Sequence, residues 1–194
     1  AVFCFGSKLP YYSTGIITTN YMSKNFKKSL FLFRRDLRLE DNMGLISLLE
    51  QSETVIPAFI FDKRQVDSKE NHYFSAPAFK FLINSLSELD DALQARNSKL
   101  YLFSGKPSKV VESILEKDVV EAVFVNKDYT PFARKRDKEI ADICESKAVY
   151  FERHEDAVLA PIEEIRTGTE KLYTVFTPFM RKAMTHEVSM PRKN

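Results

Sequence analysis

Short apolar runs alternate with helical patterns through the middle of the chain, and this alternation limits the possible folds more than any other feature. A short apolar run bounded by polar residues is typical of a buried strand. Pro57 has no backbone N–H to donate, so we expect it near the beginning of its strand. The predicted strands are Leu30–Phe33, Val55–Phe61, Leu100–Phe103, Ala122–Val125 and Val149–Phe151.

The segments between these strands have the features of helices. Asp41 or Asn42 is the predicted N-cap of the helix that follows the first strand. Thr130 is the predicted N-cap of a later helix, which begins with Pro131. A polar loop is predicted over 62–75. It leads to the longest helix, predicted over 76–96, where apolar residues are spaced by three and four positions and form one buried stripe. That stripe consists of Phe79, Leu82, Leu86, Leu89 and Leu93.

Strands that alternate with helices predict an α/β fold, a Rossmann-like, doubly wound parallel sheet of five strands with helices on both faces. The expected strand order is 3-2-1-4-5, in which the direction of winding reverses between strands one and four. Ligands bind beyond the carboxyl ends of the strands at such a reversal. We therefore expect a binding site between two loops, Arg34–Asn42 and Asn126–Arg136.

Several kinds of chemistry are disfavoured by the sequence. No G-x-G-x-x-G pattern follows the first strand, which argues against a dinucleotide site of the dehydrogenase kind. The segment Gly105–Ser108 is similar to part of a P-loop, but Leu100 replaces the upstream glycine and a proline replaces the magnesium-binding residue. His72, His154 and His186 have no partners at metal-ligand spacing, so we expect surface or loop positions for them and no metal site.

The composition predicts a soluble protein of a reducing compartment, either the cytoplasm or the nucleus. The net charge of +2 is too small to indicate nucleic-acid binding by itself, and no apolar run is long enough to cross a membrane. The two cysteines, Cys4 and Cys144, provide no disulfide framework. Cys144 lies in a helical pattern, so we expect it to be a buried, unreactive thiol.

The beginning of the chain differs in composition from the rest. Residues 1–28 contain no acidic residue, and the first methionine is Met22. We interpret 1–28 as a leader or upstream extension without fixed structure. An organellar transit peptide is the alternative, although the segment lacks arginine. Residues 29–160 form the predicted α/β domain, and the alternation of strands and helices does not continue over 161–194.

Alternating charges follow the first strand directly, and a solvated loop that ends in a helix cap explains only part of them. Three arginines at the mouth of a crevice can also hold a planar polar ligand, because guanidinium groups hydrogen-bond in a fixed fork and stack on rings. The segment Phe33–Leu39, followed by Asp41 and Asn42, closely resembles the opening signature of the photolyase/cryptochrome family. Further segments resemble that family in the same order and spacing, namely Pro57–Asp62, Gly105–Pro107, Asn126–Arg134 with Arg136 and Asp137, and Tyr173–Phe179.

This resemblance implies an N-terminal α/β domain that holds a light-harvesting antenna cofactor, followed by a helical domain that holds FAD and binds damaged DNA. In the family, the antenna passes its excitation to FAD, and FAD splits a pyrimidine dimer that is flipped out of the duplex. On this basis we expect residues 161–194 to be a linker into a helical domain that this chain lacks. The intact parent would be a monomeric deoxyribodipyrimidine photo-lyase, whereas the chain alone would not repair DNA.

The resemblance places the antenna in the crevice that the topology predicts. The implied contacts are Arg34, Arg35, Asp36, Leu37, Arg38, Phe61, Asp62, Lys127, Asp128, Tyr129 and Arg136. A purely structural ion pair, such as Arg136 with Asp36, is the alternative role for the charged members. Asp128 followed by Thr130–Phe132 replaces the glutamate-containing pattern of folate-binding members. This departure resembles members with a deazaflavin or FMN antenna, or with no antenna, more than members that bind folate. The chain has no tryptophan, and the family's flavin-phosphate motif belongs to the helical domain, so electron-transfer and FAD-binding residues are not assigned.

Two other functions stay open at this point. A cryptochrome, a blue-light photoreceptor without repair activity, would have the same fold. A free-standing nucleotide- or flavin-binding module of the related α/β superfamily would also have nearly the same fold. Such a module has no use for Tyr173–Phe179, the segment that resembles the entry into the helical domain.

Overall fold

The structure, a computed structural model, describes residues 24–188 and 190–192. Residues 1–23 of the extension predicted over 1–28 lie outside the described residues. The first strand begins at Phe26, inside the predicted extension. In chain order the elements are β1 (Phe26–Phe33), α1 (Met43–Gln51), β2 (Ser52–Phe61), α2 (Lys63–Val66), α3 (Ala76–Gln94), β3 (Tyr101–Ser104), α4 (Pro107–Lys117), β4 (Ala122–Asn126), α5 (Pro131–Ser146), β5 (Tyr150–His154) and α6 (Phe176–Ala183).

The five strands form one parallel sheet in the order β3-β2-β1-β4-β5, which confirms the predicted fold class and strand order. β1 lies at the centre, where Phe33 is in register with Phe59 of β2 and Phe31 with Phe124 of β4. The winding reverses between β1 and β4. The loops that follow these two strands therefore leave the sheet side by side at its carboxyl edge.

Side chains of the central strand alternate between two cores. Phe31 and Phe33 pack in a cluster with residues of α1 and α3. Leu30 and Leu32 point to the opposite face and pack with residues of α4 and α5. Because successive residues of a strand face opposite sides of the sheet, a continuous apolar run requires helices on both faces. The structure confirms that prediction.

The helix caps follow from short polar side chains. Asn42 caps α1 by accepting a hydrogen bond from the Leu45 N–H at 3.2 Å. Asp41, the other candidate for this cap, has a left-handed φ of 51° and precedes the capping position. Thr130 caps α5 as predicted, because its hydroxyl accepts from the Ala133 N–H at 3.2 Å.

Three details of the prediction are wrong, each for a local reason. Pro57 lies in the middle of β2, where it is tolerated because β3 pairs with β2 only from Ala58 onward. Residues 63–66, expected in a polar loop, form α2 because the Asp62 side chain caps them. His154, expected at the surface or in a loop, ends β5 and stacks on Phe124 at 5.8 Å between ring centroids.

The single cysteine in the described part of the chain is Cys144, which is fully buried in the core between α5 and the sheet. Burial raises the pKa of its thiol to about 11. A thiol with so high a pKa carries almost no thiolate at neutral pH, so the prediction of an unreactive thiol is consistent with its surroundings.

After β5 the chain becomes less regular. Residues 161–164 form a turn, closed by a 3.0 Å hydrogen bond from the Glu164 N–H to the Pro161 carbonyl. α6 has no buried residue, and Phe176 and Met184 at its two ends are 72% and 77% exposed. Among the residues that the structure describes, no helix is long and apolar enough to span a membrane.

Candidate functional site

Two adjoining cavities lie at the carboxyl edge of the sheet, where the winding reverses. The aromatic cavity, of about 410 Å³, is named for its walls of Phe33, Phe59, Phe74 and Phe79. The polar cavity, of about 750 Å³, lies between the loops after β1 and β4. The two cavities share three lining residues, Arg34, Arg35 and Asp128.

These cavities bring together most of the residues predicted for the site. The predicted residues that line one or both of them are Arg34, Arg35, Asp36, Arg38, Asp62, Lys127, Asp128, Tyr129 and Arg136. Leu37 and Phe61 do not line either cavity. Both pack against the core beneath α1 and α3, where the Phe61 ring meets the Phe59 ring edge-on at 5.0 Å.

A buried carboxylate anchors two of the arginines. Asp137 of α5 has a side chain only 1% exposed and lies 2.8 Å from a terminal nitrogen of Arg34, whose side chain is 11% exposed. Its Oδ1 also accepts from the Arg136 Nε at 3.1 Å. Burial, together with the Arg136 charge, lowers the pKa of the Arg34 guanidinium to about 10. Arg34 is therefore still a cation at neutral pH, and its position is fixed by Asp137.

The Nη2 of Arg136 is buried and has no hydrogen-bond partner among the described residues. The Nη2 of Arg34 also lacks a hydrogen bond there, although it lies within ion-pair distance of Asp137. Arg136 lines the aromatic cavity. An unpaired buried donor is costly, so an acceptor atom of a ligand in this cavity would be stabilised beside it.

Asp36 holds the loop after β1 in shape. It is 8% exposed and accepts from the backbone N–H of Arg34 at 2.7 Å and from the side-chain amide of Asn126. The same amide donates to Asn42 at 2.8 Å, and its oxygen accepts from the Gly44 N–H at 3.0 Å. The alternative ion pair between Arg136 and Asp36 is not the observed one, because Arg136 pairs with Asp137.

The close approach of Asn126 to α1 explains why glycine is present at position 44. A Cβ atom on Gly44 would collide with the Asn126 side-chain oxygen. The helix, the loop after β1 and the end of β4 are thereby locked together under the polar cavity.

Arg35 differs from its neighbour Arg34. Arg35 is exposed and makes no hydrogen bond or ion pair within the part of the chain that the structure describes. Across the cavity, burial tends to raise the pKa of Asp128, but the Thr130 N–H and the charges of Arg35 and Arg136 outweigh it and lower that pKa. Arg35 is thus an available guanidinium at the junction of the two cavities.

The remaining charged residues of the polar cavity are paired. Arg38 donates to Asp156 at 2.8 Å, and Lys127 lies 3.0 Å from Glu163. Tyr129 donates its hydroxyl hydrogen to Glu155. Burial, followed by this hydrogen bond, raises the pKa of Tyr129. These pairs define the shape of the polar cavity and leave few free donors in it.

Asp62, at the end of β2, also has partners of its own. It is 3% exposed, and its carboxylate accepts from both the backbone N–H and the side-chain Nε of Arg64 at 3.0 Å. The Arg64 guanidinium in turn lies 4.8 Å from the Phe132 ring centroid on α5. Arg64 thereby connects the segment after β2 with the first turn of α5.

The aromatic walls were not among the predicted site residues. Phe79 belongs to the α3 stripe that predicts core packing, yet only the later members Leu86, Leu89 and Leu93 are buried. Phe74 lies in the segment expected to be a polar loop. The presence of an aromatic side chain in a polar loop is the sequence feature that could have indicated this wall of the aromatic cavity.

Comparison with known proteins identifies the family of the chain. The sequence model of the DNA photolyase family matches residues 29–193. The chain belongs to the DNA photolyase family. It is 32% identical over 153 residues to the deoxyribodipyrimidine photo-lyase of Synechococcus sp. (strain ATCC 27144), an alignment that covers 78% of this chain and 31% of that protein. It is 33% identical over 111 residues to cryptochrome DASH of Idiomarina loihiensis, covering 55% of this chain and 24% of that one.

A solved photolyase has the same fold. The crystal structure of the archaeal photolyase from Sulfolobus tokodaii, which contains two FAD molecules, superposes with a TM-score of 0.77 and 41% sequence identity. The match covers 86% of this chain and 36% of that photolyase. The chain therefore spans only about a quarter to about a third of the length of these three proteins.

Proposed function

We propose that this chain is the antenna-binding domain of a light-driven DNA repair enzyme, a deoxyribodipyrimidine photo-lyase. The observation that carries the proposal is the pair of cavities at the carboxyl edge of the sheet. Arg35 lies exposed at their junction, without a hydrogen bond or ion pair in the described part of the chain. The splitting of pyrimidine dimers would belong to the intact parent, whose FAD would lie in a helical domain. Damaged DNA would be the partner of that parent.

The cavities favour a flavin or a deazaflavin as the antenna. The aromatic cavity offers flat walls to a fused ring system, and its volume of about 410 Å³ is within the usual range for a small-molecule site. Arg35 and the unused Nη2 of Arg136 would meet an anionic group of the ligand, such as a phosphate. The Thr130–Phe132 segment, which differs from the folate-binding pattern, supports the same choice.

The side chains divide into two proposed roles. Arg35 and Arg136 would contact the antenna, and Asp128 would orient Arg35 at the junction. Arg34 and Asp36 would act as positioning residues, because Arg34 is ion-paired with Asp137 and Asp36 accepts from the side-chain amide of Asn126. A bound antenna absorbs light and passes its excitation to FAD, while the protein supplies position and excludes water.

A second candidate is a blue-light photoreceptor of the cryptochrome type without repair activity. The similarity to cryptochrome DASH of Idiomarina loihiensis favours it as an alternative. Both candidates use the same α/β domain and the same antenna site. Repair of a dimer-containing oligonucleotide under blue light by the intact parent separates the photo-lyase from the photoreceptor.

The first test is an absorbance spectrum of the purified chain after incubation with a deazaflavin, FMN or a reduced folate. We expect a deazaflavin or FMN to be retained, and Arg35→Ala to weaken retention by about tenfold or more, because one charge-assisted contact is lost. Lys80→Ala, an exposed lysine of α3, is the matched control. Retention of folate alone, or equal retention by the Arg35→Ala and wild-type chains, would contradict the proposed ligand and contact.

A further inference from the structure

A groove separate from the antenna site lies between α4 and two neighbouring strands, β2 and the edge strand β3. Its volume is about 700 Å³, and it shares no lining residue with the aromatic or the polar cavity. Ile56 and Phe103 contribute its apolar sheet side, and Val110 and Ile114 of α4 contribute the other wall. We name it the β3 groove.

The β3 groove runs along an open sheet edge. β3 is the last strand in the sheet order, and no described strand pairs with its outer side. Tyr101 and Leu102 on this strand are 40% and 55% exposed. An edge strand presents backbone donors and acceptors on which another extended segment can pair.

The rim of the groove is basic. The lining residues include four lysines, Lys28, Lys106, Lys109 and Lys117, and a single carboxylate, Asp118. Two of these lysines already have partners, because Lys28 lies 2.7 Å from Asp118 and Lys106 lies 2.8 Å from Glu139 of α5. No arginine is present among the lining residues, although arginine is the usual side chain for binding phosphate in a fork.

The lysines on α4 can accept a new partner. Lys117 is exposed and has no ion-pair partner among the described residues. Lys109 is paired with Glu112 at 2.8 Å, but its side chain is 72% exposed. Exposed ion pairs contribute little to stability, so Lys109 can exchange Glu112 for a carboxylate of a bound segment.

We propose that the β3 groove docks an extended, acidic segment of a partner protein, which adds a strand to β3. Alternate apolar side chains of this segment would enter the groove, and its carboxylates would meet the lysine rim. A second copy of this chain fits less well, because pairing two β3 edges would bring two lysine rims together. A nucleic acid would use neither the open backbone edge nor the aliphatic wall.

The test measures binding of short fluorescein-labelled peptides to the whole chain by fluorescence anisotropy. The first peptide alternates glutamate with valine, the second alternates lysine with valine, and the third carries proline at alternate positions of the first. We expect the first peptide alone to bind, because the second reverses the charge and the third cannot pair as a strand. Equal binding of the second or third peptide would overturn the proposal.

Matched variants locate the site. The double variant Lys109→Glu/Lys117→Glu should weaken binding of the acidic peptide by about tenfold, since two favourable charges become repulsive. Lys80→Glu, on the opposite face of the sheet, should change it by less than about twofold. An unchanged melting temperature checks that both variants are folded. Equal affinities of the two variants would overturn the proposal.

Two further measurements identify a different occupant. If the unmodified chain sediments as a dimer and the Lys109→Glu/Lys117→Glu variant sediments as a monomer, the groove would be assigned to a second copy. Binding of a single-stranded oligonucleotide that is lost in the same variant, with no binding of the acidic peptide, would assign it to a nucleic acid. Either result would replace the proposed acidic segment.

Discussion

Replacing Asp137 by asparagine tests whether this carboxylate holds the floor of the site. The carboxylate is 1% exposed and compensates Arg34 and Arg136, whose side chains are 11% and 9% exposed. Asparagine keeps the volume and one acceptor oxygen but removes the negative charge. Two buried guanidinium groups would then lose the counter-charge that they share.

The expected loss follows from the burial of the charges. Removing one partner of a buried ion pair costs about 3–5 kcal/mol of unfolding free energy. A change of 1 kcal/mol shifts the melting temperature of a domain of this size by about 2–4 °C. Asp137→Asn should therefore lower the melting temperature by about 6–20 °C in a calorimetric scan. Antenna retention should fall as well, because Arg136 loses its anchor.

Asp142→Asn is the matched control on the same helix. Asp142 pairs with Lys138 at 2.8 Å, but the two side chains are 58% and 76% exposed, so the expected loss is below about 0.5 kcal/mol. Adding Arg34→Met to Asp137→Asn should recover part of the lost stability, because one uncompensated charge is removed. If Asp137→Asn melts like Asp142→Asn, the reasoning about a buried counter-charge is refuted.

Two other predictions concern the core beneath the site. Gly44→Ala should lower the free energy of unfolding, measured by urea denaturation, by about 1–3 kcal/mol, because the added methyl group meets Asn126. A gain in stability, as expected for alanine in an open helix, would show that Asn126 moves freely. Cys144 should resist alkylation in the folded chain, because a pKa of about 11 leaves about one thiol in a thousand as thiolate at pH 8. Mass spectrometry of the peptide that contains Cys144, with and without denaturant, measures this, and rapid labelling without denaturant would refute it.

The fold could be predicted because its main signals are local. The run Leu30–Phe33 has no polar residue, so it must be buried on both sides, and Thr130 with Pro131 marks the start of α5. The middle position of Pro57 could not be predicted in the same way. It depends on where β3 begins to pair with β2, and that is set by contacts between distant segments.

The candidate site was only partly predictable, for a different reason. Asp137 lies on a helix rich in charged residues, where a carboxylate is normally solvated, and nothing in the sequence marks it as buried. Phe79 is equally ambiguous, because its spacing fits the buried stripe of α3. The first turns of α3 contain no buried residue, and Phe79 there lines the aromatic cavity instead.

The contrast between Arg34 and Arg35 shows why adjacent residues of one motif take different roles. β1 ends at Phe33, and the Asp36 carboxylate accepts the Arg34 N–H at 2.7 Å, which turns the backbone at the edge of the sheet. The Arg34 side chain then extends toward Asp137 and is neutralised, while Arg35 remains exposed at the junction of the cavities. A ligand charge at this junction would thus be met chiefly by Arg35. Arg35→Ala should therefore clearly reduce the retention of an anionic antenna while changing the melting temperature of the protein little.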